Sequence, residues 1–145
     1  MAYTSKAPVH ENCRTLVICV DAYENRQWTG RLFHCSFERH KCFENLMQLL
    51  LLIEQTVEEN DYPSSSTQKR VFRKNEPGFM PPVCCDTNED KGKLATFRVR
   101  ILFRQNASWQ GTVAWEEGGC EETFRSALEL IMLMDNAALD PSDEE

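Results

Sequence analysis

The sequence predicts an α+β fold: a two-layer sandwich in which a tandem ββα-ββα repeat builds an antiparallel sheet with two helices on one face. Three observations carry this expectation. A gapless shift of 81 residues lays 15–54 on 96–135 and matches Thr15 with Thr96, Asn25 with Asn106, Trp28 with Trp109, Gly30 with Gly111, Phe43 with Phe124, Leu49 with Leu130 and Leu52 with Leu133. Each segment opens on apolar residues that alternate with more polar ones, the period of a half-buried strand. Each closes on apolar residues at helical spacing.

The elements follow in order. Leu16, Ile18, Val20 and Ala22 form the first alternating run, with Phe97, Val99, Ile101 and Phe103 as counterparts. Both runs end near an asparagine, a residue that tolerates turn geometry, in Glu24–Gln27 and Gln105–Ser108. The return strands place Trp28, Gly30, Leu32 and His34 on one face, against Trp109, Gly111, Val113 and Trp115, so each unit starts as a β-hairpin. An interior glycine weakens a strand, and here it is expected to let a helix or a neighbouring aromatic ring approach. Helices are then predicted from Phe43, Leu46, Leu50, Ile53 and Val57, and from Phe124, Leu128, Ile131 and Met134. Leu49, Leu51 and Leu52, with Leu130, Met132 and Leu133, widen each apolar face beyond one stripe. Two helices lying side by side on the sheet would cover each other's flanks; the alternative is a homodimer interface.

The repeats are joined by a linker, 60–93, whose Tyr62–Pro63, Ser64–Ser66 run and prolines Pro77, Pro81 and Pro82 make much of it irregular, with Lys69–Arg73 as a candidate edge strand. The acidic tail, 140–145, is expected to fray. The 145 residues together are read as a single domain, 1–145.

Composition narrows the class. With 41% apolar and 27% charged residues the chain is of globular type. Its apolar runs, such as Leu49–Ile53, fall far short of the ~20 residues of a spanning helix. Residues 1–13 hold no apolar stretch of the signal-peptide kind, so a cytoplasmic protein is expected, away from membranes. The net charge of −7 argues against nucleic acid, whose counterions basic side chains would have to replace. Seven cysteines, an odd number without a CxxC pair, point to reduced thiols.

Four constellations could carry chemistry. Arg98, Arg100 and Arg104 are placed on the outward face of one strand, a ladder suited to an acidic partner surface. That face, with Val17, Cys19, Asp21, Arg31 and Phe33 from the first unit and Leu102, Gln110 and Thr112 from the second, is expected to be open. Asn106 and Ser108 sit in Asn106-Ala-Ser-Trp-Gln-Gly111, which resembles the (Asp/Asn)-x-Ser-x-x-Gly element of PilZ domains; that resemblance implies a cyclic-dinucleotide binder. PilZ domains add an upstream Arg-x-x-x-Arg, for which Lys69–Arg73 lacks the first arginine. No metal is expected, and a zinc reading falls back on His34, Cys35, His40, Cys42, Cys84 and Cys85. Finally, there is no Gly-x-Ser-x-Gly and no Gly-rich phosphate loop, and the three histidines all precede residue 41, so neither an enzyme nor a cofactor is expected.

The second unit, with Asn106–Gly111 followed by Phe124-Arg-Ser-Ala-Leu-Glu-Leu130, resembles a family of small bacterial proteins built on the same ββα pair. The resemblance implies the fold and a bacterial cytoplasmic setting, and brings no assigned activity, catalytic residues or cofactor. The expected function is therefore a non-enzymatic protein-interaction or regulatory module, binding another protein through its open sheet face or its linker. A small-ligand or cyclic-dinucleotide binder is the alternative, and a zinc-binding protein the second.

Overall fold

The computed structural model describes residues 15–25, 27–37, 39–60, 72, 91–104 and 108–138. The elements run β1 (Thr15–Glu24), β2 (Gln27–Phe33), β3 (Lys41–Phe43), α1 (Leu46–Asn60), β4 (Ala95–Phe103), β5 (Gln110–Trp115), β6 (Cys120–Phe124) and α2 (Ala127–Ala138). The strands form one six-stranded antiparallel sheet of order β3-β2-β1-β4-β5-β6. The α+β class therefore holds, but the ββα unit is corrected: three strands, not two, precede each helix. Residues 41–43 and 120–124 are short and bury only their final Phe, so they carry no alternation that a sequence reading could detect. Phe43 and Phe124 do not open the helices; they end β3 and β6, opposite Gly30 and Gly111.

β1 and β4 pair at the centre of the sheet. Val17 lies opposite Arg98, with Thr15 opposite Arg100 and Cys19 opposite Thr96 on either side. Val17 and Arg98 are themselves 81 residues apart, so the register is symmetric about this pair. Each central strand is then interrupted by a β-bulge, between Val20 and Ala22 in β1 and between Ile101 and Phe103 in β4. An extra residue in one strand turns every later side chain to the opposite face.

The glycines belong to these bulges. A Cβ on Gly30 would fall 1.8 Å from the Cys19 carbonyl oxygen, and one on Gly111 would fall 1.9 Å from the Arg100 carbonyl oxygen. The approach that excludes a side chain is thus by neighbouring backbone, and at Gly30 an aromatic ring, Phe43 at 3.1 Å, comes close as well. At the hairpin between β1 and β2, Asn25 adopts a left-handed φ of 53°.

One apolar cluster joins the sheet to both helices. Leu16, Ile18 and Val20 meet Phe97, Val99 and Ile101 at its centre, flanked by Trp28, Leu32 and Phe43 and by Trp109, Val113 and Phe124. From the helices it takes Leu49, Leu52, Ile53, Val57, Leu130 and Met134. The helical faces are rotated from those expected: Leu128 is exposed, Leu46, Leu50 and Ile131 are half-buried, and Leu130 and Leu49 point inward. The rotation follows from where the helices begin. Asn45 and Ser126 are their N-caps, accepting from the amides of Gln48 (2.9 Å) and Glu129 (3.2 Å). Gln48 and Glu129 in turn accept from the amides of Glu44 and Arg125, a reciprocal arrangement of the capping-box kind. The caps lie two residues after each Phe, so the helices begin at Leu46 and Ala127, three residues after it.

If the carbonyl beneath Gly30 is what excludes a side chain, Gly30→Ala must push β1 and β2 apart. It should lower the unfolding free energy by about 1–3 kcal/mol in urea denaturation. An unchanged midpoint would show that the strand yields without cost.

Candidate functional site

The three arginines proposed as one ladder separate. Arg98 is on the face away from the helices and pairs with Glu116, which also accepts from Lys91 Nζ at 2.7 Å. Arg100, opposite Thr15 and Thr112, is half-buried. Arg104 lies past the β4 bulge, so its side chain turns to the helical face and is 5% exposed. There it pairs with Glu58 and Glu54 of α1, the latter at 3.4 Å. The placement of Arg104 on the outward face is thus corrected, and the inversion of alternation at the bulge is the reason. Glu54 also accepts from Trp109 Nε1 at 3.0 Å. A related tie occurs 81 residues earlier: Tyr23 donates its hydroxyl to Asp135 of α2 and meets Trp28 edge-on at 6.4 Å.

The outward face is not open at its centre either. Cys19 and Thr96 are fully buried, and Val17 and Arg31 nearly so. Arg31 is held by Asp21 (3.0 Å) and donates to the Lys91 carbonyl oxygen at 2.8 Å. Asp21 accepts from the Lys93 amide and Thr96 Oγ1 from the Gly92 amide, so 91–93 lies across the ends of the strands. On this side Arg31, Asp21, Lys91, Glu116 and Arg98 form one internal network rather than a ladder awaiting a partner.

Of the PilZ-like element, Ser108 is half-buried, while Asn106 lies outside the described residues. Cys35 and Cys42 are disulfide-bonded, which corrects the expectation of reduced thiols. Disulfides persist in oxidising surroundings, so cysteine usage no longer supports a reducing compartment. A disulfide sulfur is not a thiolate, so neither residue can ligate zinc in this form. His34 shares a hydrogen bond with Ser36 Oγ at 2.8 Å, and buried His40 packs on Phe33 with ring centres 5.1 Å apart. Cys84 and Cys85 lie outside the described residues, as do Lys69, Arg70, Val71 and Arg73. Among the described residues no group of three or more His, Cys, Asp or Glu is placed to hold a metal ion.

A different site lies at the β6 edge. A groove of about 470 Å³ is lined by Thr123 and Arg125 and by Glu129, Met132 and Leu133 of α2. Cys120–Thr123 is exposed along its length, and β6 ends the sheet. Positions 81 residues earlier agree in part, since Met47 and Leu51 are exposed as Leu128 and Met132 are, and differ beside the edge strand. Leu52 is fully buried where Leu133 is half-buried, Cys42 is half-buried and disulfide-bonded where Thr123 is exposed, and β3 has three residues against five in β6. Sequence alone conceals this edge, because Glu116, Glu117, Glu121 and Glu122 make 116–122 look like solvated acidic surface. The signal available was the Phe that follows each strand glycine by thirteen residues, better explained by a third strand than by a helix start.

Comparison of the chain with protein-family models, with curated proteins and with solved structures gives no match. Among the described residues no helix is long and apolar enough to cross a membrane.

The Lys91 ammonium bonded to Glu116, reinforced by Arg98, holds its carboxyl below the usual carboxylate range, against a smaller opposing push from partial burial. A carboxylate depressed in the folded state stabilises above its unfolded pKa and loses that contribution as pH falls through the folded value. Thermal stability should therefore fall as pH drops below about 4.5, the ordinary value. Glu116→Gln should flatten part of that fall. A variant with the same acid dependence as the parent would remove Glu116 from the account.

Proposed function

We propose that this chain is a non-catalytic interaction module that docks another protein at the side of the molecule formed by α2 and β6. The observation that carries the reading is the pairing of that groove with large apolar side chains left in solvent: Leu128 is 64% and Met132 61% exposed, one helical turn apart. Apolar side chains grouped beside a concave surface mark interaction sites more often than scattered ones do. The polar candidates lend themselves less to this role, because Arg98 and Arg104 already have carboxylate partners within the chain. An exposed arginine paired internally must lose that partner before it can serve another.

Met132→Asp puts a charge into the groove at an exposed position, where folding should be little affected. Wild type and variant are immobilised and exposed to the same cell extract, with the captured proteins quantified by mass spectrometry. The variant should melt within a few degrees of the wild type and lose the proteins that the wild type enriches. Identical capture by both would overturn the reading.

A further inference from the structure

We infer that a disulfide from Cys42 to Cys84 or Cys85 fastens the stretch 84–90 over the outward face of the sheet, so that this face is occupied by the chain itself. The argument starts from one row of side chains that crosses four strands. Cys42 lies opposite Arg31, Arg31 opposite Cys19 and Cys19 opposite Thr96, and residues directly opposite one another share a face. Ile18, Val20 and Phe97 belong to the core with the helices, so the row points the other way. An outward row would ordinarily be wet, yet Cys19 and Thr96 are fully buried and Arg31 is 4% exposed. Residues 91–93 cover the end of the row beside Thr96 and Asp21. Val17 shares that face two residues farther from them along β1, and it is still 8% exposed.

Elimination names the partner of Cys42. Cys35 and Cys42 are both disulfide-bonded, whereas Cys19 and Cys120 are not. A disulfide needs Cα atoms within about 7 Å of each other. Cys35 and Cys42 do not meet that condition together. The packed rings of Phe33 and His40 stand between them, with Cys35 in the turn closed by Phe37 and Cys42 in the ladder opposite Arg31. Cys13 falls short too. Thr15 is four residues along β1 from Cys19 and two strands away from Cys42, a separation of roughly 16 Å. The two residues back to Cys13 span at most about 7 Å, which leaves about 9 Å still to cross. Of the seven cysteines, Cys84 and Cys85 remain. Their reach suffices, because the Lys91 carbonyl is held by Arg31, the neighbour of Cys42 in the ladder. Cys85 is six positions before Lys91, a reach of up to about 20 Å.

The link is tested on the full chain, denatured in N-ethylmaleimide without reductant, digested with pepsin and mapped by mass spectrometry. One linked species should join a peptide holding Cys42 to a peptide holding Cys84 and Cys85, with Cys19 and Cys120 alkylated. A bond from Cys42 to Cys35 or Cys13, or an alkylated Cys42, would overturn the inference. The cover is tested on the folded chain, where Cys19 reports on the face concerned and exposed Cys120 is the control. The native wild type should be alkylated at Cys120 and resist at Cys19. Cys42→Ser should speed alkylation of Cys19 by about tenfold, since losing the cross-link eases local opening, and leave the rate at Cys120 unchanged. Mild reduction of the wild type should have the same effect without a substitution. A Cys19 rate unchanged by both treatments would show that the linked stretch does not lie over this face.

Discussion

The structure turns on the two β-bulges of the central strands and the glycines opposite them. Without the extra residue, β1 and β4 would keep one face to the helices from end to end. With it, the strands bend and their last residues change sides. The carbonyl oxygens of Cys19 and Arg100 then stand where a Cβ would be on Gly30 and Gly111, so glycine is the residue that permits both the bulge and the pairing. The third strands follow from the same place, since Phe43 and Phe124 pair with those glycines, and the Phe43 ring lies over Gly30.

The change of sides decides where the polar groups go. Past its bulge β1 presents Tyr23 to α2, and past its bulge β4 presents Arg104 to α1. Each half of the sheet thereby reaches the helix that follows the other half, through Asp135 in one direction and Glu54 with Glu58 in the other. A buried guanidinium is tolerated only when its charge and its donors are matched, and Arg104 has two carboxylates within reach. Trp109 adds its indole N–H to the same carboxylate while its ring remains in the core. These groups are the joints of the fold, tied to carboxylates within the chain.

Much of this was legible in the sequence. The alternation of Leu16–Val20 and Phe97–Ile101, the shared Asn-x-x-Trp-x-Gly string and the apolar runs at 46–57 and 127–134 mark strands, hairpins and helices, because each sets a period that burial enforces. The strands β3 and β6 were not legible, since only their final Phe is buried and a three- to five-residue edge strand leaves no period to read. Arg104 was misplaced for a related reason: counting by twos assumes an unbroken strand, and the bulge at Ile101–Phe103 breaks it without any signal but Gly111 opposite. Cys35 and Cys42 were read as thiols because sequence spacing does not reveal which cysteines lie close enough to bond.

The two edges of the sheet show how the halves have diverged in what they can do. β3 is short, and the positions beside it are filled or bonded, the usual protection of a sheet edge. β6 is longer, and Cys120–Thr123 is exposed along it. Common to both halves is a polar side chain past the bulge that ties the sheet to a helix, and in β4 it is Arg104, a joint of the fold rather than part of a binding face. A double-mutant cycle between Arg104→Gln and Glu54→Gln tests this most directly. The account predicts a coupling of roughly 1–3 kcal/mol in unfolding free energy, as for groups in one buried network. A coupling near zero would contradict it, returning Arg104 to the surface as a candidate for binding.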